Sequence, residues 1–431
     1  MLNDPTRGRS AACPPLDTPR APLHSAAVAV LELSASGDGF SFEQLLHTVA
    51  GRLAEYPALQ HSLEIHGPGT HRLFEPTDHV RFVTPTEAVT ERALCVRVGE
   101  LAGQPMEPGR PRWRLSMIEG LYGGLVALVL VMDAALADPR ACTETLRRLL
   151  GLTPEVEPTP SLVSICDGTR PTLAARGEDI ALPHEPTTQR WSGPLSDSRI
   201  AAYARSHRAA IDVVRRAFGG TRENVALAAC TRALRRYLQA HGDPVDEPLV
   251  AALPTSDRTL DREGTLVRFL RLPVQLADPV DQLRVIQSEL YRAQVAPRIT
   301  GKYWLGQACE IASTEHIASR RQVRSHSGPD RLRHDLVFRN LAGPERTLSL
   351  GTARVVALHP HGPLVDGVGL DLSVIRYGES IDFGLMTCSD LAPDAVEIAT
   401  GIEAAVADLV KRSFEERDGS LELADWGAES A

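Results

Sequence analysis

Between about Thr153 and Pro194 the chain loses the apolar periodicity that it shows elsewhere. This stretch is rich in Pro, Thr and Glu, and it reads as an extended crossover rather than a packed element. The expected organisation is therefore two lobes linked by this long connection. The expected division is a first lobe at 1–153, a crossover at 154–194, a second lobe at 195–414 and an acidic, mobile tail at 415–431. A length of 431 residues, at ~150 residues per domain, suggests two or three compact units. Two lobes imply a cleft, and clefts between domains are favoured ligand sites.

Both lobes read as mixed α/β. In the first, Ala26 to Leu33 is a strand-length apolar run. Ser41 caps a helix whose apolar positions are Phe42, Leu45, Leu46, Val49 and Leu53, one face at helical spacing. A hairpin is expected over His61 to Phe74, and a helix from about Glu87 to Leu101. Two strands, Trp113 to Glu119 and Leu125 to Met132, flank the turn signal Gly123-Gly124. Asp138-Pro139 opens a helix, with the acid at the cap and proline at the first helical position. In the second lobe, helices are expected near Asp197 to Arg216, Arg222 to Ala240, Val280 to Ala293 and within Trp304 to Arg324. Strands are expected at Leu249 to Leu253, Leu266 to Leu276, Asp335 to Phe338, Arg354 to Leu358, Gly369 to Arg376 and Ile381 to Met386. A last amphipathic helix covers Asp394 to Arg412.

Several functional classes fall away. A net charge of −9 opposes nucleic-acid binding, which wants a basic face. No apolar run reaches the ~20 residues of a membrane helix. The start, MLNDPTRGRS, has no apolar core, as expected of a chain without a signal peptide. Seven dispersed cysteines, with no CxxC among them, read as reduced thiols in the cytoplasm. HExxH, Walker A, GxGxxG and GxSxG patterns are all missing.

Pro111 to Gly120, PRWRLSMIEG, resembles the PLWxxxxIEG block of the wax ester synthase/diacylglycerol acyltransferase family. Val126 to Pro139, VALVLVMDAALADP, is similar to the strand and HHxxxDG segment of that family, which condensation domains and chloramphenicol acetyltransferase-like enzymes share. Gly219 to Leu234, the phrase Leu253 to Arg258, Asn340-Leu-Ala-Gly343-Pro344 (the SNxPGP block) and Ala353 to Leu391 follow in the family's order. The resemblance implies two chloramphenicol-acetyltransferase-like lobes forming a pseudo-dimer with a tunnel at their interface. It also implies acyl transfer from a thioester, acyl-CoA or a carrier-protein arm, to an alcohol or amine, without a cofactor or a metal. Trp113, Glu119, Asp138, Asn340 and Gly343 are the retained motif residues.

In the family the second His of HHxxxDG is the general base. Placed without gaps, that position is Ala134, the first His is Asp133, the acid is Asp138 and the glycine is Pro139. A methyl group accepts no proton, so the standard mechanism lacks its catalyst. Other polar positions change too: the family's Asn-Asp pair is Glu223-Asn224, a later asparagine aligns near Glu263, and the Asn of GLNI is Asp371, expected in the tunnel.

Two residues are candidate substitute bases: Asp133 beside the lost position, and His361 of the His359-Pro-His361 segment reaching in from the other lobe. The alternatives are a paired or capping Asp133, packing histidines, and Asp138 as a helix cap that also holds the loop through an ion pair. Two histidines two residues apart on a strand share a face, but no third metal ligand accompanies them. The paired arginines (147–148, 235–236, 320–321) read as solvated helix faces or as contacts to coenzyme A phosphates. Three functions stay open. They are an acyltransferase working without the family histidine, an inactive relative that binds a lipid, acyl carrier or partner enzyme, and a cleft repurposed for another condensation or cyclisation.

Overall fold

The computed structural model describes residues 22–33, 40–53, 55–56, 59, 75–83, 90–106, 112–134, 136–152, 188, 190–256, 265–295, 299–301 and 334–428. The expected hairpin at His61–Phe74, the helix within Trp304–Arg324, Glu263 and most of the crossover lie outside these residues. In chain order the first half holds β1 (His24–Glu32), α1 (Phe42–Leu53), α2 (Pro76–His79), β2 (Val80–Val83), α3 (Glu91–Gly103), β3 (Trp113–Leu121), β4 (Leu125–Asp133) and α4 (Pro139–Leu149). The second half holds β5 (Arg199–His207), α5 (Arg208–Phe218), α6 (Arg222–Ala240), β6 (Leu249–Ser256), β7 (Thr265–Leu272), α7 (Pro279–Val295), β8 (Ile299–Gly301) and β9 (Leu336–Leu341). It continues through β10 (Ser349–Leu350), β11 (Ala353–His361), β12 (Leu370–Tyr377), β13 (Ser380–Cys388) and α8 (Ala395–Ala428).

The strands form two sheets, ordered β10-β11-β1-β4-β3-β2 and β5-β13-β12-β9-β6-β7-β8. The first sheet does not follow the division at 194, because β10 and β11 come from the second half of the chain. The reason lies in β1. Its first eight residues are buried, and it pairs with β4 on one side, Val28 opposite Val129. Left as an edge it would expose a long apolar row of unpaired N–H and C=O groups. β11 covers that edge antiparallel, with His361 opposite Ala26 and His359 opposite Val28.

Each sheet carries helices on its outer face. α1 and α4 pack Leu45, Val49, Cys142 and Leu146 against Ala27, Ala29 and Leu31 of β1. Ser41 and Gln44 cap α1 reciprocally, side chain to backbone, at 3.2 and 2.9 Å. On the second sheet α5 to α8 bury Leu227, Leu234, Ile398 and Ile402 over Phe338, Leu372 and Phe383. Between the sheets lies a third apolar layer. There α3 places Leu94 and Val98 against Ala26 and Val28 on one side and Ala201, Tyr203 and Met386 on the other.

Two expectations need correcting. Residues 199–207 are a strand rather than the start of a helix. Their alanines suit a helix by propensity, but the segment pairs along its whole length with β13, from Arg199 opposite Cys388 to His207 opposite Ser380. Tertiary pairing overrides local preference there. The acidic tail does not begin at 415, since α8 runs on to Ala428. Arg412 pairs with Glu415 one turn on, at 3.2 Å, and carries the helix past its apolar face.

Gly99 and Gly103 of α3 set how closely the lobes approach. A Cβ at Gly99 would overlap the carbonyl oxygen of Arg199, and one at Gly103 that of Asp197, whereas nothing lies within 4 Å of a Cβ at Gly51. Gly99→Ala is therefore expected to lose ~1–3 kcal/mol by overpacking. Gly51→Ala should gain up to ~1 kcal/mol from helix propensity. Urea unfolding of both variants checks this, and equal effects would contradict the close approach.

Candidate active site

The loop after β4 keeps the architecture that its sequence suggests. Ala134 N–H donates to the Leu23 carbonyl at 2.8 Å, and the Leu136 and Ala137 N–H groups turn back to the Asp133 carbonyl at 2.9 and 3.1 Å. Asp138 caps α4, accepting from Ala141 N–H at 2.8 Å, with Pro139 at the first helical position. Beneath the loop, Ser25 Oγ donates to the Ala137 carbonyl at 2.8 Å. Position 134, where the resemblance places the family's catalytic histidine, thus holds a half-buried methyl group.

Asp133 is fully buried and ion-paired with Arg112, itself only 7% exposed. The two are also joined through Asp133 N–H and the Arg112 carbonyl at 3.0 Å. Across β1, His24 stands opposite Asp133 and its Nδ1 bonds the Ala102 carbonyl of α3 at 2.8 Å. A carboxylate already compensated by a buried guanidinium is a structural anion, which is the paired alternative for this residue.

On the second lobe β9 and β12 present Arg339 and Asp371. Asp371 is fully buried, contacts the Arg339 guanidinium, and accepts from Gly362 N–H and Ser373 Oγ, both at 2.8 Å. A Cβ at Gly362 would overlap both charged groups, so glycine is required where the chain leaves β11. Burial pushes Arg339 down to about 10, and the Asp138 carboxylate acts against that fall, so the guanidinium stays charged at neutral pH. Arg339 thus contacts a carboxylate of its own lobe and lies within the electrostatic reach of the helix-cap carboxylate of the other.

The remaining predicted residues do not converge on this loop. His361 sits two strands across and three residues along from Ala134 in the first sheet. Strand spacing and rise make that roughly 14 Å, beyond the reach of a general base. Burial lowers His361 to about 3, aided by neighbouring His359, which burial lowers to about 4. Asn340 points to the helix-covered face with Phe338 and bonds Glu223, whose carboxyl is raised by burial. Glu119 lines a groove of about 310 Å³ with Leu33, Phe40 and Leu125, at the end of the β3–β4 hairpin away from Asp133. Trp113 is a core residue: its Nε1 donates to the Leu59 carbonyl at 2.8 Å and its ring stacks on His79 at 3.9 Å. A Cβ at Gly343 would overlap the Arg376 carbonyl, a close backbone approach that only glycine allows.

Sequence reasoning missed Arg112, Arg339 and Tyr203. Arg339 carried a signal, since a lone arginine inside the apolar strand LVFRNL must find an anion. It also stands where SNxPGP has its serine, while its partner Asp371 stands where GLNI has its asparagine. These two departures touch.

Two α/β sheets that share a crossing strand, with a capped loop at their junction, define a two-lobed acyltransferase fold of the chloramphenicol acetyltransferase type. Sequence comparison agrees: the wax ester synthase/diacylglycerol acyltransferase catalytic domain matches residues 10–192, and the corresponding C-terminal domain matches residues 266–409. The chain belongs to the wax ester synthase/diacylglycerol acyltransferase family. A Mycobacterium tuberculosis relative, provisionally named diacylglycerol O-acyltransferase, is 27% identical over 387 residues, covering 80% of this chain and 77% of its own length. The wax ester synthase/diacylglycerol acyltransferase of Marinobacter aquaeolei VT8 superposes with a TM-score of 0.67 at 19% identity, over 92% of this chain and 96% of that one. The trichothecene 15-O-acetyltransferase of Fusarium sporotrichioides shares the fold at a TM-score of 0.53 and 9% identity, over 91% of each chain. Among the described residues no helix is long and apolar enough to cross a membrane, and no group of three or more His, Cys, Asp or Glu is arranged to hold a metal.

Removing one partner of the Arg339–Asp371 pair should be costly and removing both nearly neutral. Arg339→Ser and Asp371→Asn are each expected to lose ~3–5 kcal/mol, and the double variant about 1 kcal/mol or less. Additive losses in urea unfolding would contradict the coupling. Stability should also fall with acid. The unfolded chain protonates His359 and His361 near the ordinary 6.5, whereas the folded chain resists until about 4 and 3. Their contribution is full above pH 6.5 and is lost as the pH drops toward those values, about 2 kcal/mol for each by pH 5. His361→Gln should flatten the urea-midpoint profile between pH 7 and 5, and an unchanged slope would contradict the buried neutral imidazole.

Proposed function

We propose that this chain holds an acyl thioester and an acceptor between its two lobes and transfers the acyl group without a general base from the protein. The donor is acyl-CoA or a carrier-bound thioester. The acceptor is a weakly basic amine rather than an alcohol. One observation carries this reading: Ala134 occupies the base position, and the adjoining carboxylate, Asp133, is bound to Arg112.

The acceptor class follows from proton chemistry. An alcohol must lose its proton as it attacks, and lack of a positioned base costs ~100- to 10,000-fold. An amine whose conjugate acid titrates at ~8 or below, an aniline included, is partly or wholly free base at neutral pH and attacks through its own lone pair. The amine nitrogen bonds to the thioester carbonyl carbon, the carbon–sulfur bond breaks, and the departing thiolate takes up the proton that the nitrogen releases. Holding two reactants in line supplies as much as ~7–11 kcal/mol without any proton acceptor. The retained loop, capped by Asp138 and faced by Arg339, supports such a holding role. Cys95, Cys142, Cys230 and Cys388 are buried free thiols, which supports a reducing, cytoplasmic setting.

A second reading, binding of a lipid or acyl carrier without turnover, draws support from the same charge pairs, which leave their polar groups satisfied by one another. Mass spectrometry of products from decanoyl-CoA with dodecanol or 4-hexylaniline separates the two. The proposal expects amide from the wild type, no ester, and a gain of ~100-fold or more in ester for Ala134→His. Ester formation by the wild type at the rate of Ala134→His would contradict it. Decanoyl-CoA binding without any product would favour the second reading.

A further inference from the structure

We infer that Tyr203, His359 and His361 form a hydrogen-bonding station at the lobe interface, which receives a neutral oxygen (a hydroxyl or carbonyl) of a long-chain ligand. Tyr203 lies on β5 of the second sheet, and the two histidines lie on β11 of the first. The Tyr203 ring is 4.3 Å from the His359 ring and 5.5 Å from the His361 ring. All three are buried, at 8%, 6% and 0% exposure.

Their polar atoms are under-used. His359 Nδ1 meets the Phe383 carbonyl at 3.2 Å. Among the described residues the Tyr203 hydroxyl has no hydrogen-bond partner, and His361 meets only the Leu385 backbone, outside ordinary hydrogen-bond geometry. A buried donor or acceptor left unpaired carries its full desolvation penalty, and such groups are rare in folded chains. The Tyr203 hydroxyl and a His361 nitrogen, under-used side by side at one interlobe contact, mark a place that a ligand completes. The His361 ring lies over Gly384, where any Cβ would come within 3.1 Å of its Cε1, so glycine is what gives the ring its room.

The surroundings select the ligand's chemistry. Ala201, Met386, Ala357 and Val98 line the same layer and suit an alkyl chain. The nearby Asp382 and Arg205 satisfy each other at 2.8 and 2.9 Å, and Asp382 also accepts from Leu358 N–H. On the α3 side Tyr203 faces Cys95 and Glu91. Burial keeps both imidazoles neutral and raises the phenol well above its usual range. Among the described residues an anion entering here finds no free cation beside it, since Arg205 is paired with Asp382 and Glu91 repels it, whereas a hydroxyl both donates to an imidazole nitrogen and accepts from the phenol. This inference rests on the reading that the interface takes an acyl or lipid-like molecule.

Calorimetric titration of the full chain with 1-octanol and with 1-chlorooctane tests it. The wild type should prefer octanol by about tenfold, and Tyr203→Phe, which keeps the ring, should cut that preference to about twofold or less. The thermal midpoint of ligand-free Tyr203→Phe should be unchanged or raised, because an unpaired hydroxyl is removed. His361→Phe should likewise lose the preference. Equal binding of the two probes to the wild type would overturn the proposal. So would a lowered midpoint for ligand-free Tyr203→Phe, the mark of a hydroxyl that serves only structural water. Binding of neither probe would overturn both this station and the lipid-site reading. Failure of amide formation with the octanol preference intact would strike the transfer reading alone.

Discussion

Two carboxylates, Asp371 and Asp382, hold the end and the middle of β11 against the second sheet. Asp382 accepts the Leu358 N–H at 2.9 Å while paired with Arg205, and Asp371 accepts the Gly362 N–H at 2.8 Å while paired with Arg339. Tyr377 adds a third tie, its hydroxyl donating to the Val355 carbonyl at 2.7 Å. β11 therefore belongs to the first sheet by its ladder and to the second by its side-chain anchors. Charge-assisted bonds of this kind are roughly twice as strong as neutral ones, and in a dry interface they are also directional. The relative placement of the lobes, and with it the junction where the 133–138 loop lies, depends on this strand.

The same device explains how a familiar framework can lack its catalyst. Around the loop, among the described residues, Asp133 is matched to Arg112 and Asp371 to Arg339, while Asp138 caps α4. Matched buried pairs confer little net stability but are costly to break one member at a time. Such a site is locked electrostatically. Under the proposed function such a site orients its ligands, and Ala134 supplies no proton acceptor at the position where the chemistry would occur. The two histidines nearest in sequence logic are held neutral in an apolar layer, where their use is to recognise an uncharged oxygen.

Much of this was legible in the residues. The loop was readable because capping chemistry is local: Asp138-Pro139 announces a helix start whatever lies around it, and the Gly123-Gly124 turn at φ +80 and +73 needs only its neighbours. The order of motif blocks carried the two-lobed fold. The crossing of β11 was not legible, since nothing local in ARVVALHPH states which sheet it joins. That choice is made by the exposed edge of β1, more than 300 residues away at the Glu32–Arg354 contact. β5 was misread for the related reason that alanine-rich segments follow their partner rather than their propensity. Asp133 and Asp371 could be singled out but not interpreted, because their meaning lies in Arg112 and Arg339, and pairing across a fold leaves no trace in spacing. Glu119 and Asn340 kept their motif identities, yet they serve a groove and a helix-facing contact away from the loop.

The central claim is that the site contributes orientation and no proton acceptor. Single-turnover acyl transfer measured against pH, with a series of amines of graded basicity, tests it most directly. The account predicts a rate that rises with the free-base fraction of each amine, so that the inflection moves with the acceptor from one amine to the next. A fixed inflection near ~6.5, the same for every acceptor, would reveal a titrating imidazole of the protein and contradict the account.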